Sequence, residues 1–302
     1  MNSNGGKPVV VLLGMHRSGT SLSMSMLHAL GVECGGSLIP AGPGNETGFW
    51  EHAGIVAAQE DLLAAIGRVW HGPNGTHPYP EGWLESDAAK RARERLTRIV
   101  AQEMASAERP WGFKDPRTAR LLPLWELVFA DAGAAPSYIL ATREPVAVCN
   151  SLAKRNGMDR ARGLLVWLLY NLDALHDAGD SLKLVVDYDQ IVEDPVREAE
   201  RMAGALGSVM QVEPERIDEA AARVSDKMRR YGRKERTVEN AIARDVLEGL
   251  DAMAADAPAT DGLNRILSTY RDMQELFSPW VRDTRSPLFD WAIRLMLRRK
   301  YR

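Results

Sequence analysis

The chain has 302 residues, 45% of them hydrophobic, and a formal net charge of −3. That size and apolar content suit one large α/β domain, or a domain with a helical extension, and exclude global disorder. The slight acidity argues against a generally basic nucleic-acid binder, and no apolar run reaches the roughly 18 residues that a membrane-spanning helix needs.

Met1 to Lys7 is polar and shows no secretory signal. Pro8 to Leu13 then reads as a buried strand, and Gly19 to Leu30 as a helix. A Gly- and Pro-rich loop covers Gly31 to Gly48, with Cys34, one of only two cysteines, inside it. The other, Cys149, stands far away, so neither a zinc site nor a disulfide framework is expected. A soluble protein of a reducing, cytoplasmic compartment is the expectation. Phe49 to Arg68 looks helical, and Gly72 to Gly82 is irregular, broken by Pro73, Pro78 and Pro80. Asp87 to Ala107 is a charged amphipathic helix. Trp111 to Phe113 is a short strand ending in Lys114-Asp115-Pro116-Arg117. Leu121 to Phe129 is helical, Ser137 to Ala141 a buried strand, and Pro145 suits the first turn of the helix Val146 to Lys154. Ala161 to Ala178 is an apolar helix whose Trp167, Tyr170 and Leu172 belong in a core, and Leu182 to Val186 is another buried strand. Only helices follow Asp194, with Arg223 to Arg236 as a basic loop and Asp256 to Asp261 as a hinge. Strands alternating with helices imply an α/β, three-layer, P-loop-like fold. Its central sheet is mainly parallel, and a helical extension closes the chain. The main domain spans 1–236, and the extension, 237–302, packs on it.

Gly14-Met15-His16-Arg17-Ser18-Gly19-Thr20-Ser21 joins the first strand to the first helix. Strand, Gly-bounded loop and helix N-terminus form a phosphate cradle, where backbone N–H groups converge on an anion. The spacing follows G-x-x-x-x-G-K-[ST], but Thr20 replaces the lysine and the cation moves into the loop as Arg17. Ligands in such sheets bind beyond the carboxyl ends of the strands. Those ends deliver Arg17, Lys114 and Arg143 to one site, with Asp187, Tyr188 and Asp189 beside them. Three cations suit a ligand carrying several negative charges; pairing of each with a surface acid is the plainer alternative. Arg143-x7-Ser151 sets a guanidinium and a hydroxyl about two turns apart and can hold a second phosphate.

Three segments resemble the signature regions of sulfotransferases that use 3′-phosphoadenosine 5′-phosphosulfate (PAPS): Gly14 to Ser21, Arg143 to Ser151, and Leu184 to Pro195. The resemblance covers roughly residues 8 to 210. It implies that His16, Arg17, Ser18, Gly19, Thr20 and Ser21 form the 5′-phosphosulfate loop. It further implies that Arg143 and Ser151 hold the 3′-phosphate and that Tyr188 touches the adenine. Lys114-Asp115-Pro116 resembles the lysine segment beside the transferred group in tyrosylprotein-type members. The flavour is that of bacterial and carbohydrate- or protein-modifying branches. Small-phenol enzymes of the family carry Lys in the loop and a catalytic His where Pro116 stands here, so the base must come from elsewhere. Gly48-Phe49-Trp50-Glu51 resembles a segment common in bacterial members, which puts Glu51 first as the base. Glu46, His52 and Asp115 are the reserves.

A Glu beside two aromatics can be desolvated toward the basicity a general base needs; the plainer reading places Glu51 in the first turn of the helix near Phe49. His16 reads as a packing or phosphate-adjacent residue, and His28, His71, His77 and His176 as structural or surface residues. The expected reaction moves a sulfuryl group from PAPS to a hydroxyl on a small-molecule, carbohydrate, glycolipid or natural-product acceptor. Arg17 and Lys114 stabilise developing charge. No metal is called for, although Asp187 and Asp189 leave that point open. A small-molecule P-loop kinase and a non-catalytic nucleotide-binding scaffold are the rivals. The run Lys227, Arg229, Arg230, Arg233, Lys234, Arg236 is a flap over the 3′-phosphate or a solvated face. Residues 285–302, basic with apolar anchors, offer peripheral contact with the inner face of a membrane or docking onto protein.

Overall fold

Alternation along each strand organises the molecule. In a computed structural model, residues 6–42, 48–72, 74–225, 228 and 238–277 are described. Strand β1 (Lys7–Gly14) turns Val9, Val11 and Leu13 to one face of the sheet and Val10 and Leu12 to the other. β3 (Ala134–Thr142) divides Tyr138 and Leu140 from Ile139 and Ala141 in the same way. β2 (Trp111–Lys114) and β4 (Leu182–Asp187) complete a sheet ordered β2-β1-β3-β4, in which every pair is parallel. A sheet buried on both faces needs apolar residues at both parities, and Val9 to Leu13 supplies five in a row, all inaccessible to solvent.

Helices cover both faces. On one side lie α1 (Thr20–Ala29), α7 (Tyr188–Glu193), α8 (Pro195–Leu206) and α9 (Glu215–Ala221). On the other lie α2 (Ala53–Ala65), α3 (Asp87–Ser106), α4 (Leu122–Ala132), α5 (Pro145–Asn156) and α6 (Arg160–Ala178). Two later helices, α10 (Ala241–Ala254) and α11 (Asp261–Phe277), send Val246, Leu250 and Leu263 into this second core. The result is the three-layer α/β architecture with a parallel sheet that the alternation of strands and helices implied. Trp167, Tyr170 and Leu172 are core residues, as expected.

Three of the boundaries that differ from expectation lie beside the strand ends. The helix expected from Phe49 starts at Ala53, because Trp50 takes a left-handed backbone (φ 56°) and His52 caps the helix. Glu51 therefore lies before the cap, not in a first helical turn. The strand expected to end at Phe113 keeps Lys114 in register opposite Leu12. The chain turns helical directly at Tyr188, because Asp187 closes β4 by capping α7 through Oδ1. Glu46, the basic run from Lys227 to Arg236 and the segment 285–302 lie outside the described residues.

Candidate active site at the strand ends

β1 ends in the Gly14–Thr20 loop, and two glycines set its shape. A Cβ on Gly14 would stand 2.5 Å from the carbonyl oxygen of Ala141, and one on Gly19 would stand 2.5 Å from the Tyr188 ring. Both have positive φ, so the loop requires glycine there for space and for backbone conformation alike. Arg17 also takes a left-handed conformation (φ 74°), a strained one for a residue with a side chain. His16 turns into the protein, where its ring stacks on Trp70 at 3.9 Å and meets the edge of Tyr170. It is thus a packing residue of the loop. Ser18 Oγ is buried without a hydrogen-bond partner, and Ser21 Oγ donates to the carbonyl of Phe49.

β3 delivers Arg143 to the same place. Its guanidinium lies 4.1 Å from the centre of the Tyr188 ring, its Nε is buried without a hydrogen-bond partner, and Glu144 behind it caps α5. Ser151 on α5 accepts a 2.7 Å bond from Arg17 Nε. The hydroxyl expected to work with Arg143 is thus bonded to the loop arginine, and no hydrogen bond joins it to Arg143. Among the described residues neither Arg17 nor Arg143 forms an ion pair. Burial, and after it the charge of Arg143, holds Arg17 below its ordinary value. Burial pushes the Tyr188 phenol up against the pull of Arg143, so it remains neutral at physiological pH. The cleft between these groups measures about 470 Å³ and includes Trp50 and Arg223 on its walls.

β2 brings a different arrangement. Lys114 Nζ donates to Glu51 Oε1 at 2.8 Å, and both side chains are almost wholly buried. The antiparallel bridge between Leu38 and His52 holds Glu51 in place: its carbonyl accepts from Ile39 N, and Ala53 N donates to Ser37. His52 is fully committed. Its Nδ1 accepts from Gly54 N and Ile55 N, so the proton is on Nε2, which faces Glu103 Oε1 at 3.1 Å. Asp115 is inaccessible to solvent and accepts from the backbone and guanidinium of Arg117, which also reaches Glu60. Burial pushes the Asp115 carboxyl up, partly offset by Arg117. His52 has both ring nitrogens engaged, Asp115 keeps Oδ2 buried without a hydrogen-bond partner, and Glu51 alone of the described acids meets Lys114.

One cation escaped the sequence reading. Arg155 lies four residues beyond Ser151 on the same face of α5, its guanidinium 5.6 Å from the Trp70 ring. Burial and the charge of Arg17 lower it, while Glu51 counters them. The i, i+4 spacing from Ser151 was the available signal.

A family model described as "Sulfotransferase family" matches residues 8–211, which takes in β2, β3, β4, all of β1 but its first residue, and every residue of this site named above except Arg223. The chain belongs to the sulfotransferase family. Sulfotransferase domains are also found among solved structures similar to it. One is the sulfotransferase domain from the Synechococcus PCC 7002 olefin synthase, at 16% identity and a TM-score of 0.46, covering 88% of this chain and 95% of that one. Another is the sulfotransferase domain from the curacin biosynthetic pathway, at 16% identity and 0.43, covering 88% and 98%. No curated protein matches the sequence significantly. Among the described residues no helix is long and apolar enough to cross a membrane, and no group of three or more His, Cys, Asp or Glu is placed to hold a metal ion.

Proposed function

We propose that this sulfotransferase takes its sulfuryl group from PAPS and passes it to an acceptor hydroxyl, with Glu51 as the base. The observation that carries the donor assignment is the pairing of Arg17 with Arg143. Two guanidiniums in electrostatic contact, without an acid between them, raise the energy of the folded chain unless an anion joins them. Ser18 Oγ and Arg143 Nε, buried without partners beside the Gly-bounded loop, are further donors for such an anion. A nucleotide with anionic groups at its 5′ and 3′ positions suits a cleft whose walls include both Arg17 and Arg143.

The donor supplies an activated sulfuryl group; the chain supplies position and charge. Gly14–Thr20 and Arg17 hold the 5′ end. Arg143 and Ser151 hold the 3′-phosphate, with Arg155 adding charge one turn along α5. Tyr188 and Trp50 wall the base. In its ion pair Glu51 is a carboxylate, the form that accepts a proton from an acceptor hydroxyl. Lys114 has two tasks in sequence. It fixes Glu51 before the reaction and then neutralises charge growing on the leaving phosphate, which frees the carboxylate as the hydroxyl proton arrives. The family resemblance to carbohydrate- and protein-modifying branches supports a hydroxyl acceptor on a sugar or other natural product.

The test is calorimetric titration with adenosine 3′,5′-bisphosphate, with and without EDTA, on wild type and Arg143→Ala, followed by transfer from radiolabelled PAPS to a hydroxyl panel. Metal-independent binding that collapses in the variant supports the donor. Magnesium-dependent binding of ATP in its place would sink it and favour a kinase.

A further inference from the structure

A second cavity, of about 360 Å³, lies away from the strand ends, where the segment after Arg68 meets α6 and α11. Its walls are aromatic. Tyr79 and Trp83 meet edge to face at 4.9 Å, and Tyr270 of α11 stands across from them. Its charge is negative. Glu81 and Glu85 are exposed and pair with no cation among the described residues, and Asp177 adds a third carboxylate bonded to His176. The one guanidinium in the lining, Arg120, is consumed from within: Asp173 takes its Nε at 2.7 Å, and Gly75 O takes a second nitrogen at 2.6 Å.

The walls are also fixed in advance. Arg68 donates to the carbonyl of Pro78 at 2.8 Å, and Arg120 packs its guanidinium 5.1 Å from the Tyr79 ring centre. Tyr270 donates to Asp173 at 2.8 Å, which ties α11 to α6. Ser86 caps α3 and accepts from Ala89 N while donating to Trp83 O, which holds Trp83 at the rim. Prolines at 78 and 80 restrict the remaining backbone freedom. Rings held in place beside the exposed carboxylates of Glu81 and Glu85 recognise one chemistry well. Since Arg120 already lies over Tyr79, a cation gains the Trp83 and Tyr270 rings together with the charge of the acids, at little cost in ordering the site.

We propose that this cavity binds an organic ammonium group. The assignment is independent of the donor reading, since none of the residues that line the cavity lines the strand-end cleft. The same chemistry serves an amine carried by the acceptor and a separate amine.

The experiment uses the full chain and two probes of equal shape, cyclohexylammonium and cyclohexanol, followed by ligand-detected NMR titration without nucleotide. The ammonium should bind about tenfold more tightly, a preference that falls by several-fold between about 20 mM and about 500 mM NaCl. Glu81→Gln with Glu85→Gln should remove most of that preference, and because both side chains are exposed the variant should melt at the wild-type temperature. Trp83→Ala should weaken the ammonium about fivefold or more. Equal binding of the two probes, or a preference untouched by the double Gln variant, overturns the proposal. Linear amino alcohols of increasing length, offered with radiolabelled PAPS, distinguish the two sources. Turnover that depends on length and on Trp83 assigns the ammonium to the acceptor; binding with no length-dependent turnover assigns it to a separate amine. Because the NMR titration contains no donor, a failed nucleotide titration leaves its result intact, and the reverse holds as well.

Discussion

At the carboxyl end of β2 each charge has a partner: Lys114 has Glu51, and Arg117 has Asp115 and Glu60. At the ends of β1 and β3, a few residues away across the sheet, Arg17 and Arg143 feel each other's charge, with a serine hydroxyl, a tyrosine ring and a third guanidinium, Arg155, beside them and no paired acid among the described residues. One side of the site is electrostatically complete in the protein alone. The other carries guanidiniums that pair with no acid among the described residues. The difference separates roles that composition cannot: on the proposed reading, buried pairs hold the reacting groups in position, whereas the unpaired side keeps charge for a ligand at the expense of stability.

Breaking the paired side should cost the most. Lys114→Met leaves the Glu51 carboxylate buried without its ammonium, and loss of one partner of a buried pair costs about 3–5 kcal/mol. Chemical denaturation should show that loss, and Glu51→Gln added to Lys114→Met should return much of it, since the second substitution removes the stranded charge. A double variant no more stable than Lys114→Met would mean that Glu51 is solvated well enough to stand alone.

The unpaired side should respond in the opposite sense. Arg143→Ala should weaken adenosine 3′,5′-bisphosphate by about 100-fold, or about 2.7 kcal/mol, in calorimetry. The same change should leave the melting temperature of the free protein unchanged or raise it, because it removes the charge that opposes Arg17. A variant that binds poorly and also melts early would show that Arg143 is a structural cation after all. Ser151→Ala is a finer probe. It frees Arg17 Nε from its 2.7 Å bond and removes the hydroxyl that positions this guanidinium, so nucleotide affinity should fall about tenfold with little change in melting.

Much of this was legible in the sequence, and the reasons are local. The run Val9 to Leu13, the Gly14–Ser21 loop and Pro145 announce a strand, a Gly-bounded turn into a helix and a helix start through residue type and spacing alone. The carboxyl-end rule then gathers Arg17, Lys114 and Arg143 in one place without any coordinates. Contacts across the chain were not legible in that way. That Lys114 reaches Glu51, 63 positions earlier, depends on the Leu38–His52 bridge, whose residues carry no strand pattern. The left-handed turn at Trp50 is equally silent, because nothing about tryptophan favours it. Arg155 was legible but passed over, since a lone arginine at the end of a helix is ordinary until Ser151 one turn earlier is seen to touch Arg17.

The smallest expected effect concerns His52, beside the proposed base and itself a plausible one by residue type. Its two nitrogens are spent, one accepting from the first amides of α2 and the other facing Glu103. His52→Ala should therefore cost about 1 kcal/mol of stability through the lost cap. His52→Asn restores a good capping side chain and should recover most of that loss. The pair of substitutions also reads the chemistry, because asparagine cannot take a proton at neutral pH. If His52 only caps, the Asn variant transfers sulfuryl groups at nearly the wild-type rate and the Ala variant loses activity only as far as it melts. If His52 were the base, both variants would be equally inactive while differing in stability. The paired side of the site would then have to be redrawn, with Glu51 as a fixed counter-ion of Lys114.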